Sequence, residues 1–197
     1  QVTHLLEDLR ENAERIHKHG QRADGIVHGM LLHSRGRPGQ WEDTDINRLT
    51  DEFVQLAYHG MRAQDSAFSV NLETEYDPET GVIRAVPQSL SRAILNITSN
   101  ALHAAREKRR EAGAEFQPTV RVTTHNAAGH VELRIRDNGA GIPEGIRDRI
   151  FDPFFTTKPA GEGTGLGLST AYDTIVEQHR GQLDVDTEPR EFTEFII

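Results

Sequence analysis

The 197-residue chain contains no cysteine, which excludes a disulfide framework and thiolate chemistry. It has no apolar run near the roughly 20 residues needed to cross a bilayer, and its first residues show no signal-peptide pattern. The expected setting is cytoplasmic, with no membrane contact within these residues. Positive charge is also scarce: 22 lysines and arginines stand against 31 aspartates and glutamates, a net charge of −9. Binding to duplex DNA rests on neutralising phosphates, so nucleic acid is not expected as a partner. Any phosphate contact must be local. What is present, 36% hydrophobic and 27% charged residues, is ordinary for a soluble globular chain, long enough for one domain and an appendage.

The appendage comes first. Val2, Leu6, Leu9, Ala13, Ile16, Gly20, Ala23, Val27 and Met30 recur in alternating steps of four and three, the heptad seam of a helix that packs along another helix. At 1.5 Å per residue such a helix is about 50 Å long. A second copy of the chain is therefore expected to cover its seam. Gly36, Pro38 and Gly39 then break the period. The expected division is 1–40, helix and linker, and 41–197, a globular domain.

Beyond the break, helix and strand signals mix. Asp45 or Asn47 is placed to cap a helix through Leu49, Phe53, Leu56 and Ala57. "FSVNLETEYDPETGVIRAV" predicts a first hairpin around Asp77 to Gly81, and "VRVTTHNAAGHVELRIRD" a second around Asn126 to Gly129. "GQLDVDT" and "EFTEFII" predict a final strand pair. Helices with a mostly antiparallel sheet imply an α+β chain, a two-layer α/β sandwich.

Four segments carry chemistry. In "SLSRAILNITSNALHAAREKRR", Leu90, Ile94, Ile97, Ala101 and Ala105 share one helical face, while Asn96, Asn100 and His103 share an adjoining one. Paired amide oxygens can complete the shell of a magnesium ion held mainly by a ligand's phosphates. "RDNGAGI" ends a strand with the Asp137 carboxylate, and Gly139 and Gly141 permit close backbone approach to a flat ligand. "IFDPFFTTK" predicts a flap anchored by Phe151, Phe154 and Phe155, with Lys158 as a point charge suited to phosphate. In "GEGTGLGLS", glycines run into a helix starting near Leu166, whose unpaired N–H groups form an anion site. The spacing fits neither a Walker A loop nor a dinucleotide fingerprint.

Together, "NITSNA", "DNGAGI", "FDPFFTTK" and "GTGLGLS" resemble, in order, the N, G1, F and G2 boxes of the ATP-binding domain of bacterial sensor histidine kinases. That domain belongs to a superfamily shared with type II topoisomerases, mismatch-repair proteins and heat-shock chaperones. The resemblance covers about Thr44 to the C-terminus and implies the Bergerat-type ATP-binding fold. "HKHGQRADGIVHGMLLHSR" is similar to the second helix of such kinases' dimerisation domain, so a homodimer through the N-terminal helix is implied.

The resemblance assigns roles. Asp137 accepts the adenine amino group, Gly139, Gly141 and Ile142 close around the base, and Thr193 lies near it. Asn100, helped by Asn96, holds magnesium against the triphosphate. Lys158, Thr164 and the amides around Gly165, Leu166, Gly167 and Leu168 bind phosphates. His103 stands where many relatives carry a lysine or arginine, so a neutral imidazole replaces a fixed charge. Asn96 stands where the ATPase branches carry a glutamate that activates water. An amide takes no proton at neutral pH, so transfer to a protein histidine is favoured over hydrolysis.

No His-Glu-x-x-x-Pro box is present to supply that histidine. His4, His17, His19, His28 and His33 lie in other contexts, and the His17/His19 spacing is a poor metal site. The expectation is a fragment of a longer kinase, membrane-anchored or not, whose phosphoacceptor lies upstream and whose partner is a response-regulator receiver domain. Two alternatives stay open: a non-catalytic adenine-nucleotide-binding module and, disfavoured by Asn96, an ATPase clamp.

Overall fold

A computed structural model describes residues 39–65, 68–127, 129–159 and 163–197. The heptad helix expected at the N-terminus, with its five histidines and the dimer it implies, lies at residues 1–38, outside the described residues.

Strand β1 (Glu42–Asp45) leads directly into helix α1 (Ile46–Gln64). Of the two expected caps, Asp45 serves: its carboxylate accepts the Arg48 N–H at 3.0 Å. Asn47 instead bridges to the sheet, donating to the Asp77 carbonyl and accepting from the Thr124 hydroxyl at 2.6 Å. Val54 and Ala57 are buried on the inner stripe with Leu49 and Phe53 packed beside them, whereas Leu56 is 53% exposed. The buried stripe runs through Ile46, Thr50, Val54 and Ala57, and Leu56 falls off its edge.

The first expected hairpin is not one. Strand β2 (Asn71–Tyr76) pairs in parallel with β4 (Thr119–Ala127), and β3 (Val82–Ala85) pairs antiparallel with β1 in a separate two-stranded sheet. The intervening turn explains the divergence. The Asp77 carboxylate accepts the Glu79 N–H at 2.8 Å, closing a short 3-10 turn at Pro78–Thr80, and Gly81 at φ +64° turns the chain away from β2.

Helix α2 (Pro87–Ala112) buries the five residues expected, Leu90, Ile94, Ile97, Ala101 and Ala105. Strands β4 and β5 (His130–Asp137) form the second hairpin as predicted. The chain then passes α3 (Glu144–Arg147) and α4 (Gly167–Tyr172), which widens into a π-helical turn at Asp173–Gln178. Strands β6 (Asp184–Glu188) and β7 (Phe192–Ile196) form the final pair as predicted. The strand order is β2-β4-β5-β7-β6, and the helices lie on one face. Val54, Ile97, Leu102, Val120, Val122 and Ile135 are fully buried where the two layers meet. Each such aliphatic side chain contributes about 1.5–3 kcal/mol by leaving water.

Candidate functional site

The site is organised along one ridge of α2. Asn96, Asn100, Ala104 and Lys108 are spaced by four, so each step advances about 6 Å along the helix and only about 40° around it. Asn96 Nδ2 donates to the Gly167 carbonyl at 3.1 Å, joining the ridge to the start of α4. Asn100 Oδ1 accepts from Lys158 Nζ at 3.0 Å. Ala104 packs under Gly139, where any Cβ would lie 2.7 Å from the alanine methyl. Lys108 Nζ donates among the carbonyls of Asn138 (2.9 Å), Gly139 (3.1 Å), Arg190 (2.8 Å) and Glu191 (3.4 Å).

At the end of β5 the Asp137 side chain is 2% exposed, and its Oδ1 accepts the Gly139 N–H at 2.8 Å. Burial pushes this carboxyl up to about 7, against the Gly139 hydrogen bond and the nearby charges of Lys108 and Arg136. Thr193, also buried, is its register partner on β7. Gly141 holds φ +68°, and a Cβ there would collide with the Glu188 carbonyl at 2.2 Å. Next in the loop, Ile142 N–H donates to the Thr187 hydroxyl at 2.9 Å. The 138–142 loop thus lies between α2 and the β6–β7 turn.

The flap resolves into anchors and one exposed ring. Phe151 packs against Tyr172 and Phe195, and Phe155 lies under Arg149, but Phe154 is 74% exposed. Phe154 at φ +68° donates its N–H to the Gly165 carbonyl at 2.8 Å, and Gly165, itself at φ +68°, leaves no room for a Cβ against Phe154. Leu166 is the cap position of α4, one residue before the helix begins. Its N–H lies 3.4 Å from the Thr164 hydroxyl. The first N–H groups of a helix have no intrahelical partner, and here they open beside Asn96.

Residues 85–197 match the protein family described as histidine kinase-, DNA gyrase B-, and HSP90-like ATPase. The chain belongs to this ATPase family. The domain is 32% identical over 166 residues to the signal transduction histidine-protein kinase AtoS of Escherichia coli (strain K12), covering 83% of this chain and 24% of AtoS. It is 28% identical to the sensory histidine kinase/phosphatase NtrB of Azospirillum brasilense, covering 94% of this chain and 47% of NtrB. The chain therefore spans less than half the length of both relatives. Among solved structures, the nucleotide-free catalytic domain of histidine kinase ThkA superposes with a TM-score of 0.64 at 25% identity, covering 80% of this chain and 95% of that one.

As an ATPase-family domain, the chain gathers most of the residues expected from sequence. Asn96, Asn100, Lys158 and Gly167 meet on one side of α2, and Asp137, Gly139, Gly141, Ile142 and Thr193 cluster around the end of β5. His103 is half-buried one turn after Asn100, Leu168 is half-buried in α4, and Thr164 is exposed. Two further residues, Asn138 and Lys108, hold the loop after β5. Asn138 fastens its loop to the 117–119 segment, its Oδ1 accepting Thr119 N–H and its Nδ2 donating to the Gln117 carbonyl, both at 2.8 Å. Lys108 was detectable: it continues the buried stripe three residues after Ala105, and a lysine at an inward position must find partners.

The donor set suits a magnesium ion that arrives with its own phosphates. Among the described residues no cluster of three or more histidine or acidic side chains could hold a metal. Asn100 Oδ1 already accepts from a cationic ammonium, so it is a hard oxygen presented to positive charge.

Proposed function

We propose that the chain is the ATP-binding catalytic part of a two-component sensor histidine kinase. One observation carries this reading: a single ridge of α2 touches both the lysine of the flap and the loop around a buried aspartate. A nucleotide laid along that ridge has its base at Asp137 and its phosphates at Lys158.

In this reading Asp137 accepts the adenine amino group while its other oxygen holds the Gly139 N–H. Gly139, Gly141 and Ile142 line the base with Thr193 beside them. Lys158, Thr164 and the N–H groups of Gly165, Leu166, Gly167 and Leu168 take the phosphates, with His103 nearby. Asn100, aided by Asn96, holds magnesium, which supplies charge neutralisation as the γ-phosphoryl group leaves. A histidine nitrogen outside the described residues forms the new N–P bond as the bond to the β–γ bridging oxygen breaks, and ADP departs. The phosphoryl group then passes to an aspartate of a response-regulator receiver domain. The chain acts as a cytoplasmic homodimer through its N-terminal helix, which sedimentation tests directly.

The lack of a His-Glu-x-x-x-Pro box favours one second reading, an adenine-nucleotide-binding module without transfer. An ATPase clamp is disfavoured because Asn96 offers no base for water. The test supplies γ-labelled ATP and magnesium to the chain alone and joined to an upstream segment bearing such a box. Acid-labile phosphohistidine in the joined protein supports the kinase. Bound ATP without transfer favours the binding module, and released phosphate favours the clamp.

A further inference from the structure

Lys108 stands at the junction of three elements. Its stem rises from α2, its ammonium lies among two carbonyls of the loop after β5 and two of the β6–β7 turn, and the Phe116 ring flanks it at 4.9 Å. Three N–H donors shared among four carbonyl oxygens satisfy a charge that half-burial would otherwise penalise. The same junction is closed from the other side: Arg190, at φ +69°, donates its N–H to the Ala140 carbonyl at 2.6 Å. Gly139 and Gly141 both lie too close to neighbouring atoms to accept a side chain. The loop therefore has its path set on three sides, and the Lys108 side chain ties it to both α2 and the β6–β7 turn.

This position lies 12 residues beyond Asn96 and eight beyond Asn100 on the same ridge. At 1.5 Å per residue Lys108 is about 12 Å from the phosphate end of the helix. Its reach is to the base end.

We propose that Lys108 is a positioning residue for base recognition, which sets the preference for adenine by holding the 138–141 loop at a fixed distance from α2 and the β6–β7 turn. The proposal rests on the nucleotide-site reading above. Lys108 touches no part of the nucleotide; it acts through Asn138 and Gly139, whose backbone fixes the loop that Asp137 and Gly139 present to the base. Without the ammonium, four carbonyls that converge on one point repel one another, and the loop relaxes outward. Contacts to the base then loosen while contacts to the phosphates, made from Asn100, Lys158 and α4, stay in place.

Calorimetric titrations of ATP and GTP, each with magnesium, test this on the wild type, Lys108→Met and Lys108→Arg. The two nucleotides share ribose and triphosphate, and guanine presents a carbonyl where adenine presents its amino group. The expected result is wild-type preference for ATP, an ATP affinity about tenfold weaker in Lys108→Met with GTP affinity nearly unchanged, and an intermediate loss in Lys108→Arg, whose planar fork does not reproduce a point donor. Lys108→Arg also provides the comparison if Lys108→Met does not fold. Equal losses for ATP and GTP in the variants, or an unchanged ratio, overturn the proposal while leaving the nucleotide site intact. A wild type that binds ATP no better than GTP overturns the adenine reading, and the proposal with it.

Discussion

At the scale of the residue, Asp137 concentrates the chemistry. A carboxyl raised to about 7 by burial is half protonated near neutrality in the free domain. Its folded value lies above the ordinary 3.8, so its contribution to stability is fully present below that ordinary value and is lost as pH rises through 7. Asp137→Asn removes this part of the slope, which thermal melts between pH 5 and pH 8 measure. Nucleotide binding runs the other way. The ionised carboxylate is the stronger acceptor for an amino donor, so on the proposed reading ATP affinity is expected to rise between pH 6 and pH 8 and to lose that rise in Asp137→Asn. That variant should also bind ATP more weakly by about 1–3 kcal/mol, because one amide oxygen must serve both the Gly139 N–H and the base. A different residue carries a cost without evident return. Thr98 is fully buried in α2, and its hydroxyl has no hydrogen-bond partner. Thr98→Val keeps the shape and removes the orphaned oxygen, so denaturant melts should show a gain of about 1 kcal/mol.

Single residues were also where the sequence was most informative. Asp137, Asn100 and Lys158 stand out by residue type within their motifs, and the structure buries Asp137 and brings Asn100 and Lys158 into contact. The inward place of Lys108 follows from the period of α2, but its partners do not: they are backbone carbonyls from positions 138, 139, 190 and 191, and a carbonyl leaves no trace in residue type.

At the scale of the element, faces were legible and partners were not. The buried stripe of α2 followed from period alone, and the β4–β5 and β6–β7 pairs followed from alternation with short turns. The same alternation around Asp77 misassigned β2 and β3, since alternation reports which face a strand buries and not which strand lies beside it. The end of the π-helical turn shows a tie of the same hidden kind. His179 Nε2 accepts the Val86 N–H at 3.0 Å, and its Nδ1 donates to the Thr174 carbonyl at 2.7 Å. That arrangement requires the neutral ring protonated at Nδ1. It fastens α4 and its extension to the first residue before α2, which has no side-chain cap of its own. Trp41 lies against the His179 ring at 4.9 Å and is the only tryptophan in the chain. His179→Ala is expected to lower stability by about 1–2 kcal/mol, leaving the Val86 N–H without its acceptor. It should also change Trp41 emission in the folded state; an unchanged spectrum and melt would contradict the tie.

At the scale of the whole molecule, charge and architecture pull in different directions. A net charge of −9 repels a polyphosphate at long range. Affinity must therefore come from a few donors held at close quarters, which is what a sheet covered by one long helix provides. Helix α2 packs its inner stripe on the sheet through Ile97 and Leu102, and this fixes the adjoining ridge where flap, 138–142 loop and β6–β7 turn converge. The core thus determines the spacing between Asp137 and Lys158 along the helix. In that architecture Asn100 meets the flap lysine, and on the proposed reading the same oxygen is the one offered to magnesium. The most direct measurement is the affinity of this chain for ATP with magnesium and with chelator, in the wild type and in Asn100→Ala. Magnesium should tighten ATP binding at least tenfold in the wild type and leave it nearly unchanged in Asn100→Ala. Equal tightening in both proteins, or no ATP binding in the wild type, would contradict a nucleotide site built on this ridge.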